Sequence, residues 1–132
     1  MNQVVVHTKN GELLKGTTNN FLPTKNFFHL VPVGAAPGAK PLEILFSDLK
    51  AVFFVKDLTG QSQRVDKNSF DPNRPVQGRK IRIVFHDGEI MLGTTQGYQP
   101  DRSGFFVVPV DPESNNERCC IISASTKEVT LL

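Results

Sequence analysis

The residue types that most often carry catalysis are few in this chain, and they are scattered. The three histidines, His7, His29 and His86, stand alone, and no two have the spacing of metal ligands. His7 and His86 fall at or near the ends of strands, where a solvated imidazole is ordinary. Cys119 and Cys120 are adjacent. They are not a CxxC redox pair, and no histidine lies nearby in sequence to take a thiol proton. Neighbours on a strand point to opposite faces, so the pair reads as two small packing residues. Two adjacent cysteines also cannot build a disulfide framework. Glu12 and Glu89 each follow a hairpin glycine, where a solvated carboxylate is the default. No glycine-rich loop has the spacing that cradles phosphate. The expectation is a chain with no enzymatic activity, no metal site and no cofactor.

Composition bounds the rest. The chain has 132 residues, with 15 Lys plus Arg against 13 Asp plus Glu, for a net charge of +2. That balance argues for neither a nucleic-acid nor a membrane partner. Apolar residues make up 39% and charged residues 21%, which suits a globular protein rather than a disordered one. No apolar run approaches the roughly 20 residues of a membrane span. MNQVVVHTKNG at the start has no basic stretch followed by a long apolar one, so no secretory signal is expected. The expected setting is cytoplasmic.

Self-similarity is the most informative feature. Residues 4–55 align without a gap on residues 81–132, at a constant offset of 77. NGELLKGTT at 10–18 lies over DGEIMLGTT at 87–95. Phe21 lies over Tyr98, and Phe28, Val31, Pro32 and Val33 over Phe105, Val108, Pro109 and Val110. Thirteen of the 52 positions are identical, and pairs such as Val4/Ile81, Val6/Ile83 and Leu13/Ile90 fill the gaps between them. The reading is a duplicated unit: residues 1–55, a connector at 56–79, and residues 80–132. The connector is rich in Gly, Pro, Asn, Asp and Ser, which disfavour helix and central strand. Its one large apolar residue, Phe70, is expected to pin it down.

Each unit reads as five short strands in meander order. In the second, Lys80–Phe85 alternates apolar and polar as a half-buried strand does. His86-Asp87-Gly88 and Asn10-Gly11 predict hairpins of type I′, with positive φ at both central residues. Strands follow at 89–95, 105–110, 118–123 and 128–132, with a tight turn, short enough for 3₁₀, at Ser125-Thr126-Lys127. Gly93, inside a strand, marks a bend. The first unit repeats the course, with strands at 42–46 and 51–55. No helical periodicity exceeds about one turn. The fold class is all-β: two tandem five-stranded barrels packed together, whose closure would leave few open edges.

The pattern resembles the SH3-like small barrels, and most closely the Sm-like branch. The signature of alternating apolar residues, Asp-Gly, an apolar-x-Gly corner and a later aromatic reads IRIVFHDGEIMLGTTQGY at 81–98 and VVVHTKNGELLKGTTNNF at 4–21. The string DGE…GTTQGY…P…GFF…P…SNN also resembles an uncharacterised bacterial domain family that occurs near PilZ or response-regulator modules. The Sm resemblance implies RNA binding through an Asp-x-x-Met-Asn loop and an Arg-Gly loop. Here the Asp position holds Gln99 or Leu22, the Asn position Ser103 or Asn26, and the Arg-Gly position Ser47-Asp48 or Ser123-Ala124. Lys25, Asn26 and Phe27 are what remains of that pocket. A PilZ-type cyclic dinucleotide site would use Arg79, Arg82 and Asp101-Arg102-Ser103-Gly104, but the spacing is wrong and PDRSG reads better as a turn.

A unit of about 52 residues buries only about 60% of its surface alone, so the two units are expected to dock. Phe27-Phe28, Phe53-Phe54 and Phe105-Phe106 each send one ring away from their own core. Those outward rings are expected at the contact between units or in an oligomer interface, and a fourth strand apolar on both faces favours docking. The favoured function is a non-enzymatic binding or assembly module acting through loops and edges, with a protein partner or self-association. Single-stranded RNA binding is the alternative, and no membrane partner is expected. The polar loops of the second unit, Tyr98, Gln99, Arg102, Asn115, Asn116 and Arg118, are the candidate binding residues.

Overall fold

A computed structural model describes residues 1–59 and 66–132; the part of the connector at 60–65 lies outside the described residues. Ten strands form one antiparallel sheet. They are β1 (Asn2–Thr8), β2 (Leu13–Thr18), β3 (Phe27–Pro32), β4 (Leu42–Leu45), β5 (Leu49–Val55), β6 (Arg79–Phe85), β7 (Ile90–Thr95), β8 (Gly104–Pro109), β9 (Asn116–Ile122) and β10 (Thr126–Leu131). The only helical pieces among the described residues are single 3₁₀ turns at Phe46–Asp48 and Ser123–Ser125. The second 3₁₀ turn sits two residues earlier than the tight turn expected from Ser125-Thr126-Lys127. No helix among the described residues is long and apolar enough to cross a membrane. Strand bounds in the first half recur 77 positions later in β6, β7 and β8, as do those of the 3₁₀ turn.

The strand order is β10-β6-β7-β8-β9-β5-β1-β2-β3-β4. Each half contributes five adjacent strands, and β5 of the first half pairs with β9 of the second. Ala51 lies opposite Ile121, Val52 opposite Cys120, and Phe53 opposite Cys119. The halves are therefore joined by a backbone ladder rather than only face to face. Two strands, β10 and β4, end the order and, among the described residues, are paired on one side only, so the sheet keeps two edges.

Two cores sit on either side of this seam. One gathers Val4, Val6, Phe28, Leu30, Ile44, Phe46, Leu49, Val52 and Phe54, with Cys120 and Ile122 from β9. The other gathers Ile81, Ile83, Phe85, Phe105, Val107, Cys119 and Ile121, with Ala51, Phe53 and Val55 from β5. Successive residues of β5 and β9 thus serve alternate cores, which is why both strands read apolar on both faces. Phe53, Phe54 and Phe105 are buried and Phe106 packs partly buried against the first core. Of the outward rings, Phe27 alone stays open, 38% exposed on β3.

The hairpins lie where Asn-Gly and Asp-Gly place them, but their turn type differs from expectation. In these hairpins only the glycines have positive φ, Gly11 at 87° and Gly88 at 91°; among the described residues no other residue type does. The Gly88 N–H donates to the Phe85 carbonyl, and the Phe85 N–H donates to the Glu89 carbonyl. Thr8, Gly11 and Glu12 repeat the pattern. This is a three-residue loop, a type I turn closed by a left-handed glycine bulge. Asn-Gly and Asp-Gly suit both turn types, and the extra loop residue decides between them.

Gly93 and Gly16 serve close approach. A Cβ on Gly93 would strike the Val108 carbonyl and the Val107 side chain; on Gly16 it would strike the Val31 carbonyl. At each point the return strand keeps its first ladder and begins a second, with Pro109 or Pro32 across from the glycine. Gly93→Ala is expected to lower stability by about 2–3 kcal/mol, because the clash is with backbone that cannot turn aside. Gly88→Ala, strained by conformation alone in open space, should cost about 1 kcal/mol. Urea denaturation midpoints of the two variants provide the comparison.

Candidate functional site

Polar residues near the seam fall into three groups. The first is spent on holding the connector. The Asn115 side chain accepts from the Asp57 N–H at 3.1 Å and donates to the Asp57 carbonyl at 2.9 Å, while its own carbonyl accepts from the Lys56 N–H. Buried Ser114 donates to Asp66 at 2.6 Å and accepts from the Asn116 N–H at 3.0 Å. Buried Asp111 accepts from the Lys67 N–H at 2.9 Å. The polar side chains of this loop thus bond the connector, Asn115 and Asp111 at its backbone and Ser114 at the Asp66 carboxylate. Asn115 is thereby tied to the connector, while Asn116 gives its N–H to Ser114 and pairs with Val55 in the ladder. Tyr98 is half-buried, its ring 4.8 Å from Phe105 in the second core.

The second group is an ionic bridge. Lys50, at the start of β5, reaches Asp87 at 2.7 Å and Glu89 at 3.0 Å on the second half's hairpin. Burial alone would lower the Lys50 pKa, but its hydrogen bonds to both carboxylates outweigh that and raise it. The same bond holds the Asp87 carboxyl below its usual range, helped by the Glu89 N–H. His7 sits beside this bridge with its ring 4.4 Å from Phe53. Burial, then the Lys50 charge, lower its pKa, with Glu89 opposing. The cysteines offer no nucleophile. Desolvation pushes the Cys119 thiol far up and Cys120 up to about 12, so both stay protonated.

The third group lines a groove of about 740 Å³ between the connector and β8. Its apolar floor and walls include Phe70, Pro75, Phe106, Val108 and Pro109. Arg74, Arg102 and Arg118 line it, and among the described residues that line it none is a carboxylate. Phe70 does anchor the connector, half-buried with the Lys80 ammonium 4.9 Å from its ring centre. The Arg118 guanidinium lies 4.6 Å from both the Phe54 and Phe106 rings, a stacking arrangement that fixes it across the seam. Arg102 and Arg74 are exposed. Gln99 stands on the adjoining turn, where its carbonyl accepts from the Arg102 N–H at 3.2 Å.

Two of the six candidate residues, Arg102 and Arg118, therefore meet in one concavity. Sequence reasoning missed Arg74 and the wall built by 70–77. The available signal was an arginine between two prolines in DPNRP, a few residues after the connector's only phenylalanine. The RNA-type residues lie elsewhere. Asn26 accepts a 3.0 Å hydrogen bond from Ser103, its counterpart 77 positions on. It shares a seam cleft with Ser47, Asp101, Ser103 and Ser123. Lys25 is exposed in a turn, and Phe27 meets His29 edge-on at 5.7 Å.

Residues 1–132 match the model of DUF6982, a family of unknown function. No curated protein and no solved structure matches the chain.

His7 gives the seam a pH dependence. Its pKa in the fold is below the ordinary 6.5, so the neutral imidazole is the form the fold keeps. The unfolded chain takes up a proton first as pH falls, so stability is full above about 6.5 and declines below it. Asp87, already depressed from 3.8, responds only at lower pH. Melting temperatures between pH 7.5 and 5.5 should fall for the native chain, and His7→Gln should flatten that slope.

Proposed function

We propose that this chain, which belongs to the family of unknown function DUF6982, is a non-enzymatic binding module that seats an extended acidic segment of a protein partner in the groove. Its two halves, 1–55 and 80–132, are on this reading copies of one Sm-like or SH3-like small barrel joined by the connector at 56–79. The 77-residue offset in sequence and in strand bounds supports the duplication. The observation that carries the binding proposal is the convergence of three arginines on an apolar floor with no carboxylate among them. Arginine forks pair carboxylates in two-bond geometry, and the fixed apolar floor contributes contact area. The walls, rich in proline, suit a chain laid in extended form. Two buried, unlinked thiols accord with a reducing cytoplasmic setting.

A protein segment suits the groove better than RNA. Single-stranded RNA is held by stacking bases on open aromatic faces. Here Phe105 is buried, and cations already lie over Phe70 and Phe106. The alternative, RNA at Lys25, Asn26 and Phe27, would have to displace the Asn26–Ser103 bond and tolerate Asp101 in the same cleft.

Fluorescence anisotropy separates the readings. A labelled peptide of alternating glutamate and leucine should bind at low salt. Arg74→Ala and Arg102→Ala should each weaken it about tenfold, equivalent to about 1.4 kcal/mol, while Lys25→Ala leaves it unchanged. Labelled oligouridylate binding more tightly than the peptide, and losing affinity in Lys25→Ala, would replace this function with the RNA one. Failure of the peptide to bind at any salt concentration would remove the groove as its site.

A further inference from the structure

The β5–β9 joint is made from unlike strands, so it leaves a molecule with two unlike ends. At one end β4 is open along an edge; at the other, β10. The offset of 77 makes β4 the counterpart of Cys119–Ile122 in β9, and β10 the counterpart of β5. The outer edges are therefore the two halves of a joint that the chain already makes once internally. A second copy laying its β4 along β10 in the internal register would set Glu128 opposite Ile44, Val129 opposite Glu43, and Thr130 opposite Leu42. Leu42, Leu45 and Leu132 are exposed on these edges, at 44%, 43% and 58%.

We infer that Glu43, Asp48 and Glu128 forbid that second joint, so that the chain stops at one copy. At the internal joint every side chain that enters the opposite half's core is apolar. Cys120 and Ile122 enter the first core; Ala51, Phe53 and Val55 enter the second. Their counterparts on the open edges are Glu43, Leu45, Glu128, Thr130 and Leu132. A copied joint would push Glu43 into the neighbour's core beside Val129, and Glu128 into the other core beside Ile44. The residues gathered in both cores are apolar, and a lone buried carboxylate is strongly disfavoured there. Ser125 supports the internal joint with a 2.6 Å buried hydrogen bond to the Leu49 carbonyl. Its counterpart is Asp48, which would turn a carboxylate toward the Thr126 carbonyl, acceptor against acceptor. Arg118, clamped between Phe54 and Phe106, corresponds to Pro41, which has no such side chain and no N–H to donate. All three acidic side chains are exposed as the chain stands, so charge is easily borne there. Inward-pointing charge on an edge strand is a known means of preventing edge-to-edge growth.

The test is mass in solution. The native chain should sediment as one species of 14.6 kDa across concentration. The variant Glu43→Ala, Asp48→Ser, Glu128→Ala should form a concentration-dependent series of multiples, its average mass at least doubling at high concentration. Two less altered proteins give an independent reading. Glu128→Ala alone and Glu43→Ala with Asp48→Ser should each stay single, yet their mixture should yield species of two copies and no more. Adding Thr130→Cys to the first and Leu42→Cys to the second should cross-link the pair, because those positions face each other in the copied register. The inference is overturned if the native chain self-associates through these edges. It is equally overturned if the mixture of folded variants stays at one copy, or if it associates without the cross-link.

Discussion

One ladder of hydrogen bonds governs this molecule. Where β5 runs beside β9, each strand has a core on either side, and alternate residues are assigned to each core. Neither half closes its own interior: the first borrows Cys120 and Ile122, the second borrows Ala51, Phe53 and Val55. Full burial of a side chain of Val or Phe size is worth roughly 1.5–3 kcal/mol. The five borrowed side chains therefore outweigh any single polar contact across the joint. They also answer the size problem of segments with about 52 residues, because each core is completed by side chains from the other half.

The polar architecture is arranged around that ladder. Lys50 leaves β5 to bind the opposite hairpin, and Ser125 returns the contact to Leu49. Arg118 bridges rings from both halves. The loop between β8 and β9 then uses Asp111, Ser114 and Asn115 to fasten both described parts of the connector. Fastening brings Phe70 and Arg74 over β8 and forms the wall of the groove. The groove is thus a consequence of how the connector returns across the second half.

Local patterning made most of the secondary structure legible. Alternation marked the strands, Asn-Gly and Asp-Gly marked the hairpins, and the doubled phenylalanines marked strands with two apolar faces. Strand ends moved by one or two residues, because ladder pairing extends into polar flanks such as Asn116 and Glu117. Which strand would meet which across the joint was not legible, since apolar β5 and β9 are equally good partners for anything apolar. The bonds of the polar loop were hidden for a related reason. Ser114 and Asn115 look like solvated binding residues until the connector's N–H groups and carbonyls, distant in sequence, are brought to them. Arg102 and Arg118 were identified as candidates, but the concavity that joins them to Arg74 exists only after long-range folding.

The seam also bears on how the chain reaches its native state. Ala51 and Ile121 lie side by side but far apart in sequence, whereas the hairpins join residues only a few positions apart. Local hairpins can zip within microseconds, but closing a loop of such length must absorb its entropy before any burial repays it. The last ladder to form is thus the one on which both interiors depend. Until it does, each half exposes the apolar strand that its neighbour should cover, and a newly made chain is most vulnerable to sticking during that interval.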